Sequence, residues 1–153
     1  MNGKCTCGEV RFRLTDRPLF VHCCHCRWCQ RETGSAFVLN ALIEADRVAV
    51  ATGAPVPVTV PSESGNGQVI YRCPTCQVAL WSVYSGAGPR FLFVRVGTLE
   101  EPGAVPPDIH IFTDSKLPWV QLPEGIPAMP EFYRRSQYWP EWALERRAAA
   151  LEG

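Results

Sequence analysis

The chain has 153 residues, 46% of them hydrophobic, which is enough to bury a core without cross-links and suits one domain over residues 1–153. Its 15 lysines and arginines balance 15 aspartates and glutamates, so the formal net charge is zero and nucleic acid is not expected as a partner. The opening MNGKCTCGEVRF has no apolar signal-peptide core and no stretch reaches the roughly 18 apolar residues of a membrane span, so a cytoplasmic protein without a membrane partner is expected.

In chain order, residues 9–14 alternate, with Val10, Phe12 and Leu14 on one face and charged residues on the other, the period of a half-buried strand. Short stretches rich in Val, Ile and aromatics follow at residues 36–43, 47–52, 56–60, 68–73, 79–84, 91–96 and 109–112, each bounded by Gly, Pro, Asp or Ser. SESGNGQ, at residues 62–68, reads as a hairpin loop. Few segments are long enough for helical crossovers, so antiparallel sheets are expected. Two helices are predicted. One runs over residues 27–33 and stops at Gly34, and the other starts near Pro140 and continues over EWALERRAAALE, about residues 139–151. The thin apolar face of the second makes it a helix docked on the body or on a neighbouring subunit, with a frayed tail, which leaves a homo-oligomer open.

The eight cysteines fall into Cys5 and Cys7, then Cys23, Cys24, Cys26 and Cys29, then Cys73 and Cys76. A reducing compartment disfavours a disulfide knot, and no βαβ pattern frames Cys26 and Cys29 as a redox pair, so metal ligation is the preferred reading. Cys5 and Cys7 with Cys73 and Cys76 make a closed, four-sulfur structural zinc site tying the N-terminal strand to the middle hairpin. Cys24, Cys26 and Cys29 make a second site with three ligands. Three protein ligands and an open position are the mark of catalytic zinc, although Cys23 or His25 could close the site as a fourth ligand. Alternation along an extended chain turns Cys23 and His25 away from Cys24 and Cys26, which favours the open form.

The blocks NGKCTCGEVRF, CHCRWCQRETGSAF, RCPTCQVALW and HIFTDSKLPWVQL resemble, in this order, the motifs of the glutathione-dependent formaldehyde-activating enzyme family, which includes centromere protein V. The resemblance spans about residues 3–122 and leaves the C-terminal helix outside it. It implies a mainly β fold of small twisted antiparallel sheets around zinc, of β-tent type. It also implies two zinc ions per chain, structural on Cys5, Cys7, Cys73 and Cys76 and catalytic on Cys24, Cys26 and Cys29. Gln77 stands where the family usually has glycine, so the turn after Cys76 is expected to be built differently.

The family's activity, a carbon–sulfur lyase run in reverse, joins formaldehyde to glutathione as S-hydroxymethylglutathione. The rival reading is a non-catalytic, zinc-stabilised binding module. Three thiolates leave zinc electron-rich, poor at acidifying water and better matched to a thiolate or an aldehyde oxygen. Glutathione carries two carboxylates, so cations are expected near it: Arg27 and Arg31 by sequence, with Ser35 as a hydrogen-bond donor. Lys116 is expected to pair with a carboxylate and Trp119 to pack over the metal region. Phe37, Trp28 and Trp81 are expected as core or pocket wall, and no acidic residue is singled out as a general base.

Overall fold

The computed structural model describes residues 1–152. Its strands are β1 (Asn2–Lys4), β2 (Arg11–Leu14), β3 (Phe20–Cys24), β4 (Val38–Glu44), β5 (Val48–Thr52), β6 (Val56–Val60), β7 (Gln68–Arg72), β8 (Ala79–Tyr84), β9 (Phe91–Arg95) and β10 (Ile109–Ile111). Among the described residues there are three α-helices, α1 (Arg27–Thr33), α2 (Arg135–Tyr138) and α3 (Glu141–Glu152), besides short 3-10 turns. The strands form two sheets, one ordered β1-β2-β5 and a larger one ordered β10-β3-β4-β9-β8-β7-β6. The mainly β fold with a short helix after the cysteine cluster and a C-terminal helix is the one expected.

Three features depart from the sequence reading. β1 carries almost no strand signal, yet it pairs with β2 because Gly3 lies flat against Phe12, where an added Cβ would come within 2.3 Å of the ring. β3 was obscured by its cysteines. It is buried along its whole length, as suits an inner strand flanked by β4 and β10. β10 runs parallel to β3, so the sheets are not purely antiparallel. Most of the larger sheet lies between these two strands in the chain, so no helical crossover is needed to return β10 to that edge.

The two faces of the large sheet carry separate cores. On one, Phe12 meets Trp81 edge-on at 5.4 Å within a cluster that also holds Val10, Leu14, Ile43, Leu80 and Val94. On the other, Phe20, Leu42, Phe91 and Ile109 pack beneath Trp139 and Ala143 of the C-terminal segment. α3 docks on the body of its own chain and stays helical to Glu152, the last described residue. Arg17 stacks over the Trp142 ring at 3.5 Å, and Arg146 grips Glu44 with two hydrogen bonds of 2.7 and 2.8 Å. Among the described residues no helix is long and apolar enough to cross a membrane.

Candidate metal centre

No disulfide links the eight cysteines. Seven of them gather into two groups, Cys5, Cys7, Cys73 and Cys76 in one and Cys24, Cys26 and Cys29 in the other, with the sulfurs of each group within 4.8 Å of one another.

The four-sulfur group is made by two turns of one design. Cys5 N–H donates to the Val10 carbonyl at 3.0 Å, and Cys73 N–H donates to the Val78 carbonyl at 3.0 Å. Each turn needs a left-handed residue, supplied by Gly8 in the first and by Gln77 in the second, at φ 62°. Gln77 therefore builds the turn a glycine would build. Its backbone bears a cost of about 1–2 kcal/mol for a residue with a Cβ, partly offset where its amide donates to the Pro74 carbonyl at 2.7 Å. Cys5 and Cys7 sulfurs lie 3.4 Å apart, and Cys7 and Cys73 sulfurs 3.6 Å apart. A tetrahedron with metal–sulfur bonds of about 2.3 Å has edges of about 3.8 Å, so the set fits a zinc ion with little movement. Two thiols are already biased toward ionisation. Cys76 is lowered to about 6, mainly by the backbone N–H donors of Cys7 and Val78, and Cys5, against a burial that alone would raise it, is lowered by the Val10 N–H and the Cys7 and Cys73 thiols.

The three-sulfur group forms where β3 runs into α1. Cys26 is the N-cap of α1, its sulfur accepting the Cys29 N–H at 3.3 Å, and Gly34 closes the helix in the left-handed conformation. Hydrogen bonds from Cys24 and Cys29 hold the Cys26 thiol well below its usual range. Cys24 is raised, chiefly by its bonds to Cys26 and Cys29.

Cys23 and His25 point the other way, as alternation requires. They meet His110 of β10, the register neighbour of Cys23, with His25 Nε2 and His110 Nδ1 at 2.9 Å and Cys23 sulfur 3.5 Å from His25 Nε2. The trio could be taken for a third metal site. However, 2.9 Å is an N–H···N hydrogen-bond length, at which one ring donates to the other. The outer ring nitrogens, His25 Nδ1 and His110 Nε2, also lack the partners that hold a ligating imidazole in place. The trio is therefore a buried hydrogen-bonded pair with a thiol beside it. Burial depresses both imidazoles, His25 to about 4, and pushes the Cys23 thiol up to about 12.

Cys24, Cys26 and Cys29 open onto a cavity of about 640 Å³, which Cys5, Cys7, Cys73 and Cys76 do not line. This volume falls within the roughly 300–1,000 Å³ of small-molecule sites. It is lined by Asn40, Phe93, His22 and Tyr84 of the large sheet, by Trp28 of α1 and by residues of the hairpin loop, Glu63 and Asn66 among them. Phe132, Glu131 and Arg135 from the C-terminal segment complete it. Arg27, Arg31 and Ser35 are exposed and outside this lining, and Arg27 is paired with Gln30. The guanidinium that reaches the cavity is Arg135, the first residue of α2, which stands far along the chain from the cysteines and in none of the motif blocks. Trp81 is core and Phe37 lies edge-on to His25. Two side-chain expectations fail. Trp119 is 73% exposed rather than packed over the cysteines, and Lys116 Nζ donates to the carbonyls of Leu117 and Val120 instead of meeting a carboxylate.

His22 in the cavity wall lies 2.7 Å from the Tyr133 hydroxyl, which accepts a hydrogen bond from Trp139 Nε1 at 2.8 Å. Burial lowers its pKa from 6.5 to about 4, so the folded chain resists a proton that the unfolded chain accepts. Its contribution, roughly 3 kcal/mol, is present above pH 6.5 and is lost as pH falls toward 4. Urea titrations across this window should therefore show stability falling with acidity. His22→Gln should flatten the slope by up to about 1.4 kcal/mol per pH unit, and an unchanged slope would show that His22 is not the group responsible.

A mainly β chain that gathers seven cysteines into a closed-looking quartet and a trio facing a cavity defines a class: a protein with two sulfur sites able to hold metal. The sequence profile described as "Glutathione-dependent formaldehyde-activating enzyme" matches residues 1–115, and the chain belongs to that family. A protein of Halomonas elongata, provisionally named a glutathione-dependent formaldehyde-activating enzyme, is 25% identical over 127 residues, 80% of each chain. The crystal structure of a Rhodobacter sphaeroides protein covers 65% of this chain and 88% of its own, at 22% identity and a TM-score of 0.49.

Proposed function

We propose that the chain is a zinc enzyme of carbon–sulfur lyase type that joins a thiol to a small aldehyde, with glutathione and formaldehyde as the pair the family points to. One observation carries this reading: the trio lines a cavity that has the volume of a small-molecule site, and the quartet has no part in that lining. Cys24, Cys26 and Cys29 would hold the catalytic ion, and Cys5, Cys7, Cys73 and Cys76 the structural one. Zinc bound by three cysteines supplies a thiophilic, electrophilic centre poorly suited to acidifying water.

The residues around the trio suit a zwitterionic thiol. Arg135 offers a carboxylate a guanidinium, while Glu63 and Glu131 on the rim can meet an ammonium group. Asn40 and Gln68 present amides to the peptide portion, and Phe93, Phe112 and Phe132 exclude water from the reacting atoms. In the addition the thiol sulfur bonds to the carbonyl carbon, the carbon–oxygen π bond opens, and the proton given up by the thiol ends on the new hydroxyl. The protein's part is to hold the two reactants together, which lowers the entropic barrier of a reaction that also proceeds in water.

The exchange of formaldehyde between free glutathione and its adduct can be followed at equilibrium by NMR. Zinc-loaded protein should accelerate it, and Cys26→Ala should return it to the uncatalysed rate while keeping the fold and one zinc. No acceleration by the intact protein would discard this substrate pair and leave the binding-module reading standing.

A further inference from the structure

Arg95 closes β9, in register with Asn40 of β4. Its side chain is 6% exposed, its Nη1 donates to Asn40 Oδ1, and its buried Nε has no partner. Among the described residues no carboxylate lies within ion-pair distance of it, whereas the shielded Arg72 and Arg146 are matched by Glu32 and Glu44. A guanidinium taken out of water without an anion is strongly disfavoured, so a compensating negative charge has to be sought in its surroundings.

The thiol trio is that charge. Arg95 sits one hydrogen bond behind Asn40, which lines the cavity together with Cys24, Cys26 and Cys29. Across the sheet Arg95 stands opposite Asn40 and Asn40 opposite His22, two residues before Cys24 on the same strand, so the guanidinium shares the sheet face from which the trio opens. Three thiolates around a divalent ion leave one net negative charge, which one guanidinium neutralises. A fourth ligand that is itself an anion would add a second negative charge. A neutral ligand would add none.

Resting on the function proposed above, we propose that Arg95 is the fixed counter-cation of the Cys24–Cys26–Cys29 centre. It is a positioning residue that biases the centre toward an anionic visitor, a substrate thiolate, over a neutral one. Asn40 holds it in place, and the neutral amide leaves its charge undiminished.

The probe is the chain loaded with Co²⁺, whose absorption reports the ligands of the trio after subtraction of the spectrum of Cys26→Ala. 2-Mercaptoethanol and imidazole are titrated at fixed pH into the intact chain, Arg95→Met, Arg95→Lys and Asn40→Asp. Asn40→Asp neutralises the guanidinium without removing it and guards against a folding defect in Arg95→Met. The expected result is thiol binding weakened at least tenfold in Arg95→Met and Asn40→Asp and largely recovered in Arg95→Lys, with imidazole binding changed by less than about twofold. Equal losses for both ligands, or no loss for either, would overturn the counter-cation role while leaving the proposed enzyme in place. Absence of any Cys26-dependent cobalt signal in the intact chain would overturn both.

Discussion

Cys73→Ser is expected to remove one of two zinc equivalents and to lower stability by at least about 4 kcal/mol, seen as a melting temperature depressed by roughly 10 °C or more. Cys73 is fully buried, and its sulfur lies among those of a group drawn from two distant parts of the chain. One turn carries Cys5 and Cys7 next to β1 and the other carries Cys73 and Cys76 at the tip of the β7–β8 hairpin. Zinc binding to such a group is worth roughly 10–16 kcal/mol in isolated metal-folded peptides. Here the two sheets have their own apolar core, with Val10, Phe12 and Trp81 beside the sulfurs, so only part of that free energy is expected to be needed to fold. Elemental analysis and calorimetry check the two halves of the expectation separately. Loss of metal without loss of stability would mean that the quartet does not tie the sheets together. Unchanged metal content would show that the quartet is not a zinc site.

The second large effect is expected at α3. Arg146→Met should destabilise the chain by about 2–3 kcal/mol, because it strips the bidentate partner from Glu44, whose carboxylate is only 4% exposed. The loss falls short of the roughly 3–5 kcal/mol for a wholly orphaned buried charge because Arg47 stays 3.4 Å away. Arg146 also donates to the Arg17 carbonyl at 2.8 Å and lies 3.4 Å from Asp16, so its removal loosens the seat of the helix as well as the ion pair. The double variant Glu44→Gln with Arg146→Met should recover part of the loss, since no carboxylate is then left uncompensated. A double variant no more stable than Arg146→Met would assign the loss to packing. Chemical denaturation of the two single variants and the double closes the cycle.

The core of the cavity wall changes its character with the same segment. Arg135, Phe132 and Tyr133 lie between β10 and α3, beyond the region matched by the family profile. Residue 127 accepts a hydrogen bond from His110 N–H at 2.8 Å, and the 129 carbonyl accepts one from Thr113 N–H at 3.0 Å, so this stretch lies along β10 as an irregular edge. Arg135 and Phe132 of the cavity lining thus come from a part of the chain outside the family blocks.

The sequence by itself determined what depends on neighbours along the chain. Alternation at residues 9–14 and seven short Val-, Ile- and aromatic-rich runs located eight of the ten strands, the Gly34 stop and Pro140 start located two helices, and the spacing of Cys5, Cys7, Cys24, Cys26, Cys29, Cys73 and Cys76 sorted seven sulfurs into the two groups that the fold assembles. These signals are readable because pleat, helix turn and ligand spacing are periodic over a few residues. Tertiary structure alone decided the parallel return of β10, the meeting of His25 with His110, the exposure of Trp119, and the choice of Arg135 over Arg27 and Arg31 at the cavity. It also set Arg95 behind Asn40 without a carboxylate. Each of these depends on which distant strands become neighbours and on where a charge comes to rest when water is removed, and neither leaves a local pattern in the residues concerned.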